Sequence, residues 1–151
     1  SFSIKEDINP EKLIFISREN AGFRKILHQD KLKKFLTQYN FKTVILEKLS
    51  VSEQAKVMAE SKFIIAPHGA GLANLAFCSP KTTLFELKPD IYANVNFWFH
   101  SNCLNLNYYS YISQSSQNGN QTRPNTYDIK FEDDLFVQLK EIFEKNNIYK
   151  K

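Results

Sequence analysis

The sequence predicts an α/β fold, a doubly wound, mostly parallel, Rossmann-like sheet in a single domain spanning all 151 residues. Two patterns carry that prediction. Short continuous apolar runs, as expected of strands buried on both faces, alternate with longer stretches whose apolar residues recur at helical spacing. The third such run breaks off into Pro67-His68-Gly69-Ala70-Gly71 and is followed by an apolar stretch able to form a helix. This is the order of strand, tight loop and helix found where such sheets bind their ligands.

Leu13-Ile14-Phe15-Ile16-Ser17 reads as the first strand and ends at Arg18. From about Asp30, Leu32, Phe35, Leu36 and Tyr39 form one helical face with lysines on the other, until Asn40 stops the helix. Lys42 to Leu46 reads as a second strand, and Ser50-Val51-Ser52-Glu53 as a capping box opening a helix through about Ser61. Phe63 to Ala66 forms the third strand, and Thr83 to Leu87 the fourth, closed by Glu86 and by Pro89 beyond it. Asn94 to Leu104 is expected to be helical, Tyr108 to Ile112 a fifth strand and Gln114 to Thr126 a polar loop. Phe131 to Asn147 reads as a final helix with Leu135, Phe136, Leu139, Ile142 and Phe143 along one stripe. Residues 1–11 form a linker, 12–90 the main core and 91–151 its continuation.

Hydrophobic residues make up 42% of the chain and charged residues 24%, ordinary globular usage that argues against disorder or a fibrous architecture. The apolar runs reach about five residues, against the roughly twenty of a membrane helix, and Ser1 to Asp7 has no secretory pattern. No membrane span is expected in this segment. The first residue is not methionine, which suggests a processed product or an excised piece. The net charge of +4 comes from lysines interleaved with acidic residues, which read as solvated helix faces and not as a nucleic-acid surface, though they would help attract an anionic substrate. Cys78 and Cys103 lack metal-ligand spacing, as do the three histidines. Both thiols are expected to be reduced and buried, with a disulfide as the alternative. Asn120-Gln121-Thr122 is a formal glycosylation sequon of the sort that chance produces in an asparagine-rich chain.

In parallel sheets ligands bind outside the carboxyl ends of the strands, where Arg18, Glu47, the His68 loop and Glu86 are expected to fall. Gly69 and Gly71 let the loop turn and uncover amides that, with a helix start, favour a bound phosphate. Arg18 and Arg24 follow the first strand, where a guanidinium either forks onto a diphosphate or makes a surface ion pair. Glu86 either accepts ribose hydroxyls or serves a cap or salt bridge. His68 can donate to a phosphate or sugar hydroxyl, act as acid or base, or pack against its own loop. Asn74, one turn beyond Gly71, either points into the cleft or caps the loop. His28 and His100 receive no role, and Phe97-Trp98-Phe99 reads as core. There is no Walker loop, Gly-x-Ser-x-Gly elbow or Asp-x-Asp pair, so any transfer from a nucleotide diphosphate would rely on arginines and amides, with no metal as cofactor.

Ile16-Ser17-Arg18, Arg24, Ser52-Glu53-Gln54, Pro67-His68-Gly69-Ala70-Gly71-Leu72-Ala73-Asn74 with Phe77, and Leu84-Phe85-Glu86-Leu87 together resemble the carboxyl-terminal domain of glycosyltransferase family 61. The similarity runs from about Leu13 to Pro89. That family includes O-linked N-acetylglucosaminyl- and xylosyltransferases and bacterial polysaccharide enzymes. The resemblance implies a GT-B arrangement of two facing Rossmann-like domains and an inverting, metal-independent transfer from a nucleotide sugar such as a UDP-sugar to a hydroxyl of a glycan or protein acceptor. By position, Arg18 and Arg24 would hold the diphosphate, His68 to Gly71 would line the donor and Glu86 would sit near the ribose. This chain has His28-Gln29 where the family commonly has Asn-Glu, and Pro80-Lys81 where it often has Pro-Gly. An acceptor-side second domain is expected upstream, so that this chain alone would have little activity. The compartment would be cytoplasmic for a bacterial enzyme and the secretory lumen for a eukaryotic one. The alternatives are a non-catalytic nucleotide or nucleotide-sugar binding module acting through a partner, and a Rossmann oxidoreductase, disfavoured because no Gly-x-Gly-x-x-Gly follows the first strand despite Glu47 after the second.

Overall fold

The computed structural model describes residues 8–22, 24–90, 95–113 and 127–151. Strands β1 (Lys12–Ile16), β2 (Lys42–Val44), β3 (Ser61–Pro67), β4 (Thr83–Pro89) and β5 (Asn107–Ser113) form one sheet in the order β2-β1-β3-β4-β5, with every neighbouring pair parallel. Helices α1 (Gln29–Thr37), α2 (Val51–Ala59), α3 (Asn96–Cys103) and α4 (Asp134–Lys145) cover it, together with 3₁₀ helices at Leu46–Lys48 and Ala70–Phe77. The doubly wound α/β prediction holds.

Strand side chains alternate between the two faces, and the core divides accordingly. Phe15, Phe63, Ile65, Phe85 and Leu87 meet Leu32 and Leu36 of α1 and Leu135, Leu139 and Phe143 of α4. Ile14, Ile16, Ile64, Ala66 and Leu84 meet Met58 of α2 and Leu72 and Leu75 of the second 3₁₀ helix. Ser50 and Glu53 form the expected reciprocal capping box at the start of α2.

Several boundaries depart from expectation. β2 ends at Val44, because the chain then turns to bury Leu46 in a 3₁₀ helix. β4 runs on to Pro89, which pairs with Ser113. The segment after Gly69 is 3₁₀ throughout; the Asn74 side chain donates to the Gly71 carbonyl at 3.3 Å and so competes for an acceptor an α-helix would use. The Phe97-Trp98-Phe99 cluster is not core: Phe97 packs inward, while Trp98 and Phe99 are 51% and 58% exposed. Both cysteines are free, and Cys103 is exposed instead of buried. Burial pushes the Cys78 thiol up to about 12, which keeps it a thiol at neutral pH. The sequon, the loop 114–126 and residues 1–7 of the linker lie outside the described residues.

The two departures from the family pattern fall where the backbone is left-handed or bonded. Lys81, in place of glycine, has φ of 69°, and His28, in place of asparagine, has φ of 55°. Gln29, in place of glutamate, accepts from the Ser17 hydroxyl at 3.0 Å, which either side chain can do. No helix among the described residues is long and apolar enough to cross a membrane.

Candidate functional site

β1 has β2 on one side and β3 on the other, so the chain's crossovers diverge between β1 and β3 and their carboxyl ends open a crevice. A cavity of about 60 Å³ lies there, lined by Ile16, Arg18, Leu46, Glu47, Ala66, Pro67, Gly69, Gly71 and Leu72. Arg18 and the glycine loop, 50 residues apart in sequence, thus share one wall.

Ser17 anchors the strand end that aims Arg18. It is fully buried, its amide donates to the Val44 carbonyl at 2.9 Å, and its hydroxyl ties β1 to Gln29 at the start of α1. Glu19 pairs with Lys33 of α1 at 2.7 Å, and this ammonium holds its carboxyl below the ordinary range. Arg18 is left half-buried, with Nη1 donating to the His68 carbonyl at 3.3 Å. Its Nε is buried and has no hydrogen-bond partner among the described residues.

Gly69 is what lets the guanidinium lie there. Its φ of 165° is extended backbone open to any residue, so conformation does not demand glycine. Space does, because a Cβ would come within 1.8 Å of Arg18 Nη1. The clashing atom is the end of a flexible side chain, so Gly69→Ala is expected to change stability by less than about 1 kcal/mol. It is expected to displace the guanidinium all the same, a separation that thermal melts and ligand titration of the same variant would measure. Leu72 donates to the Gly69 carbonyl at 3.0 Å, and the amides of Ala70 and Gly71 that precede it open the 3₁₀ helix without acceptors inside it.

His68 is 3% exposed. Its amide donates to the Leu87 carbonyl at 2.7 Å, its Nδ1 bonds Glu86 Oε1, and its ring lies 5.0 Å from that of Phe97 at 58°. Glu86 does not close its strand. It stands inside β4 opposite Ala66, fully buried, and its second oxygen accepts from the Tyr108 hydroxyl at 2.5 Å. The carboxylate expected near a ribose is therefore committed to His68 and Tyr108. Burial, then the hydrogen bond to Glu86 and its charge, raises the Tyr108 phenol well above its ordinary 10.0; Tyr39 and Tyr111 are raised too. Because the folded values exceed the unfolded ones, this contribution to stability is complete below about pH 10 and is lost as pH rises beyond it. Tyr108→Phe is expected to flatten that alkaline decline, measured as urea midpoints between about pH 9 and 11.

Asn74 takes the internal alternative: its amide donates to Gln54 Oε1 at 2.9 Å and to Gly71, and Gln54 in turn donates to the Leu46 and Leu49 carbonyls. Gln54 and Asn74 thus join α2, the loop after β2 and the glycine loop. Arg24 is half-buried with φ of 57° and does not line the cavity, so the two arginines are not brought together there. Glu47, expected at the carboxyl end of the second strand, lines the cavity together with Arg18. One residue escaped the sequence reading of the site: Tyr108 has no local signal, because only the β4–β5 pairing brings it to Glu86.

Set against models of known protein families, the chain matches Glycosyltransferase 61 over residues 3–85, more than half its length. A search of curated proteins finds no match.

Proposed function

Since the chain belongs to glycosyltransferase family 61, we propose that the crevice between β1 and β3 is a nucleotide-sugar site and that this domain forms the donor-binding half of a GT-B enzyme. One observation carries the reading: the Arg18 guanidinium lies over Gly69 at the mouth of the crevice, with a buried Nε that lacks a partner among the described residues. A diphosphate oxygen is the natural acceptor for it. The amides of Gly69, Ala70 and Gly71 would complete the cradle, with Asn74 holding their loop in shape. Arg24 and Glu86 play no direct part in this arrangement.

In the reaction the acceptor hydroxyl attacks the anomeric carbon opposite the diphosphate. The bond from that carbon to the diphosphate oxygen breaks, its electron pair leaves on UDP, and the hydroxyl proton passes to a base. The anomeric configuration inverts. Arg18 and the loop amides stabilise the charge that grows on the leaving diphosphate, the task a divalent ion performs in other transferases. The acceptor is a hydroxyl of a glycan or a protein, as in polysaccharide assembly or protein glycosylation. A cavity of about 60 Å³ cannot enclose a whole donor, so a second α/β domain facing this one would close over it.

Titration calorimetry with UDP, UDP-sugars and NAD, with and without Mg²⁺, tests the reading. UDP binding that needs no Mg²⁺ and weakens in Arg18→Ala is the expected result. Binding of NAD alone, or of none of these, would overturn it.

A further inference from the structure

We propose that Glu47 is a specificity residue of the crevice, its carboxylate accepting hydrogen bonds from sugar hydroxyls of the same ligand whose diphosphate meets Arg18. The proposal rests on the crevice being a nucleotide-sugar site.

Arg18 and Glu47 are the two charged residues in a cavity lining that is otherwise apolar side chains and glycine. Opposite charges on one small cavity would ordinarily pair with each other. Here they do not: among the described residues no ion pair or hydrogen bond engages the Glu47 carboxylate, which is left exposed. A cationic donor and an anionic acceptor thus face the same space unspent. A phosphate by itself satisfies half of this arrangement, because Arg18 attracts it and Glu47 repels it. Neighbouring sugar hydroxyls supply the missing donors, and the two oxygens of a carboxylate can take one from each. A ligand with a diphosphate next to hydroxyls meets both groups, whereas free phosphate or pyrophosphate meets one and is opposed by the other. Glu86 cannot serve this purpose, since it is fully buried inside β4 on His68 and Tyr108.

The turn that carries Glu47 is braced against the glycine loop. Leu46 is buried on the sheet, and Gln54 of α2 donates to the Leu46 and Leu49 carbonyls at 2.9 and 3.0 Å, on either side of Glu47. Asn74 donates to Gln54 Oε1 at 2.9 Å and to the Gly71 carbonyl at 3.3 Å, which ties that turn to the loop. Gly71 lets the two approach closely, because a Cβ there would stand 3.2 Å from Leu46 Cδ1. The backbone under Glu47 is therefore fixed against the loop whose His68 carbonyl receives the Arg18 guanidinium. Such preorganisation lowers the cost of recognising one ligand through two groups.

Calorimetry on Glu47→Ala and Glu47→Gln with inorganic pyrophosphate, UDP and UDP-N-acetylglucosamine tests this, with thermal unfolding of each variant as the check on the fold. The alanine variant is expected to bind nucleotide about tenfold more weakly, the effect of losing a hydrogen bond to a charged group. Its affinity for pyrophosphate is expected to hold or rise, because a like charge is gone. The glutamine variant keeps one acceptor oxygen and is expected to recover part of the nucleotide affinity. A loss already seen with UDP places the hydroxyls on the ribose; one seen with UDP-N-acetylglucosamine but not UDP places them on the transferred sugar. An alanine variant that binds both nucleotides as the wild type does, or that loses pyrophosphate in the same proportion, overturns the proposal and leaves the donor site standing. A wild-type chain that binds neither nucleotide overturns both.

Discussion

Replacing Arg18 by alanine is expected to weaken UDP binding by about tenfold to a hundredfold while leaving the fold intact. A hydrogen bond to a charged group contributes roughly 1.5–3 kcal/mol, and each 1.4 kcal/mol is a factor of about ten in affinity. The guanidinium is half-buried at the crevice, and its hydrogen bond to the His68 carbonyl is a long one at 3.3 Å. Its loss therefore costs the fold little. Arg18→Lys is expected to restore only part of the affinity, because a point charge cannot fork across two oxygens. Calorimetry for UDP and thermal unfolding of the same two variants are the measurements. An alanine variant that binds UDP as the wild type does would remove Arg18 from the site.

Phe143→Ala is expected to cost about 3–5 kcal/mol of stability, the usual range for a buried phenylalanine. The Phe143 ring is fully buried and lies 5.6 Å from that of Phe63 on β3, 5.1 Å from Phe41 and 4.8 Å from Tyr39. It belongs to α4, well beyond the residues 3–85 that match the family. The helix nevertheless covers the sheet face opposite the crevice, and through Phe63 it backs the strand that carries His68 and Gly69. Urea denaturation measures the effect; a loss under about 1 kcal/mol would mean that α4 packs on the sheet without supporting it.

These two residues differ in how legible they are before folding. Phe143 could be read as core because it lies on a stripe with Leu135, Leu139 and Ile142, and helical periodicity is a local property. The strands β1, β3 and β4 were legible for a similar reason: strands covered on both faces are apolar throughout. β2 was overextended because apolar Ile45 and Leu46 continue the run, whereas the chain bends after Val44. Trp98 and Phe99 were misread as core because composition does not say which face of a short helix meets the sheet.

The sequence by itself determined the alternation of strands and helices, the capping box, the glycine loop at His68 and the family, since each is written in residues near one another along the chain. The tertiary structure decided what those residues do. It brought Arg18 across 50 residues to lie over Gly69, so that the glycine is required by a neighbouring guanidinium and not by backbone geometry. It turned Glu86 away from the solvent and onto His68 and Tyr108 through a strand register that sequence does not encode locally. It left Arg24 off the cavity wall. Periodicity and turn chemistry act over a few residues, whereas the partner of a polar side chain at a strand end is set by sheet order and register, and those exist only once the chain has folded.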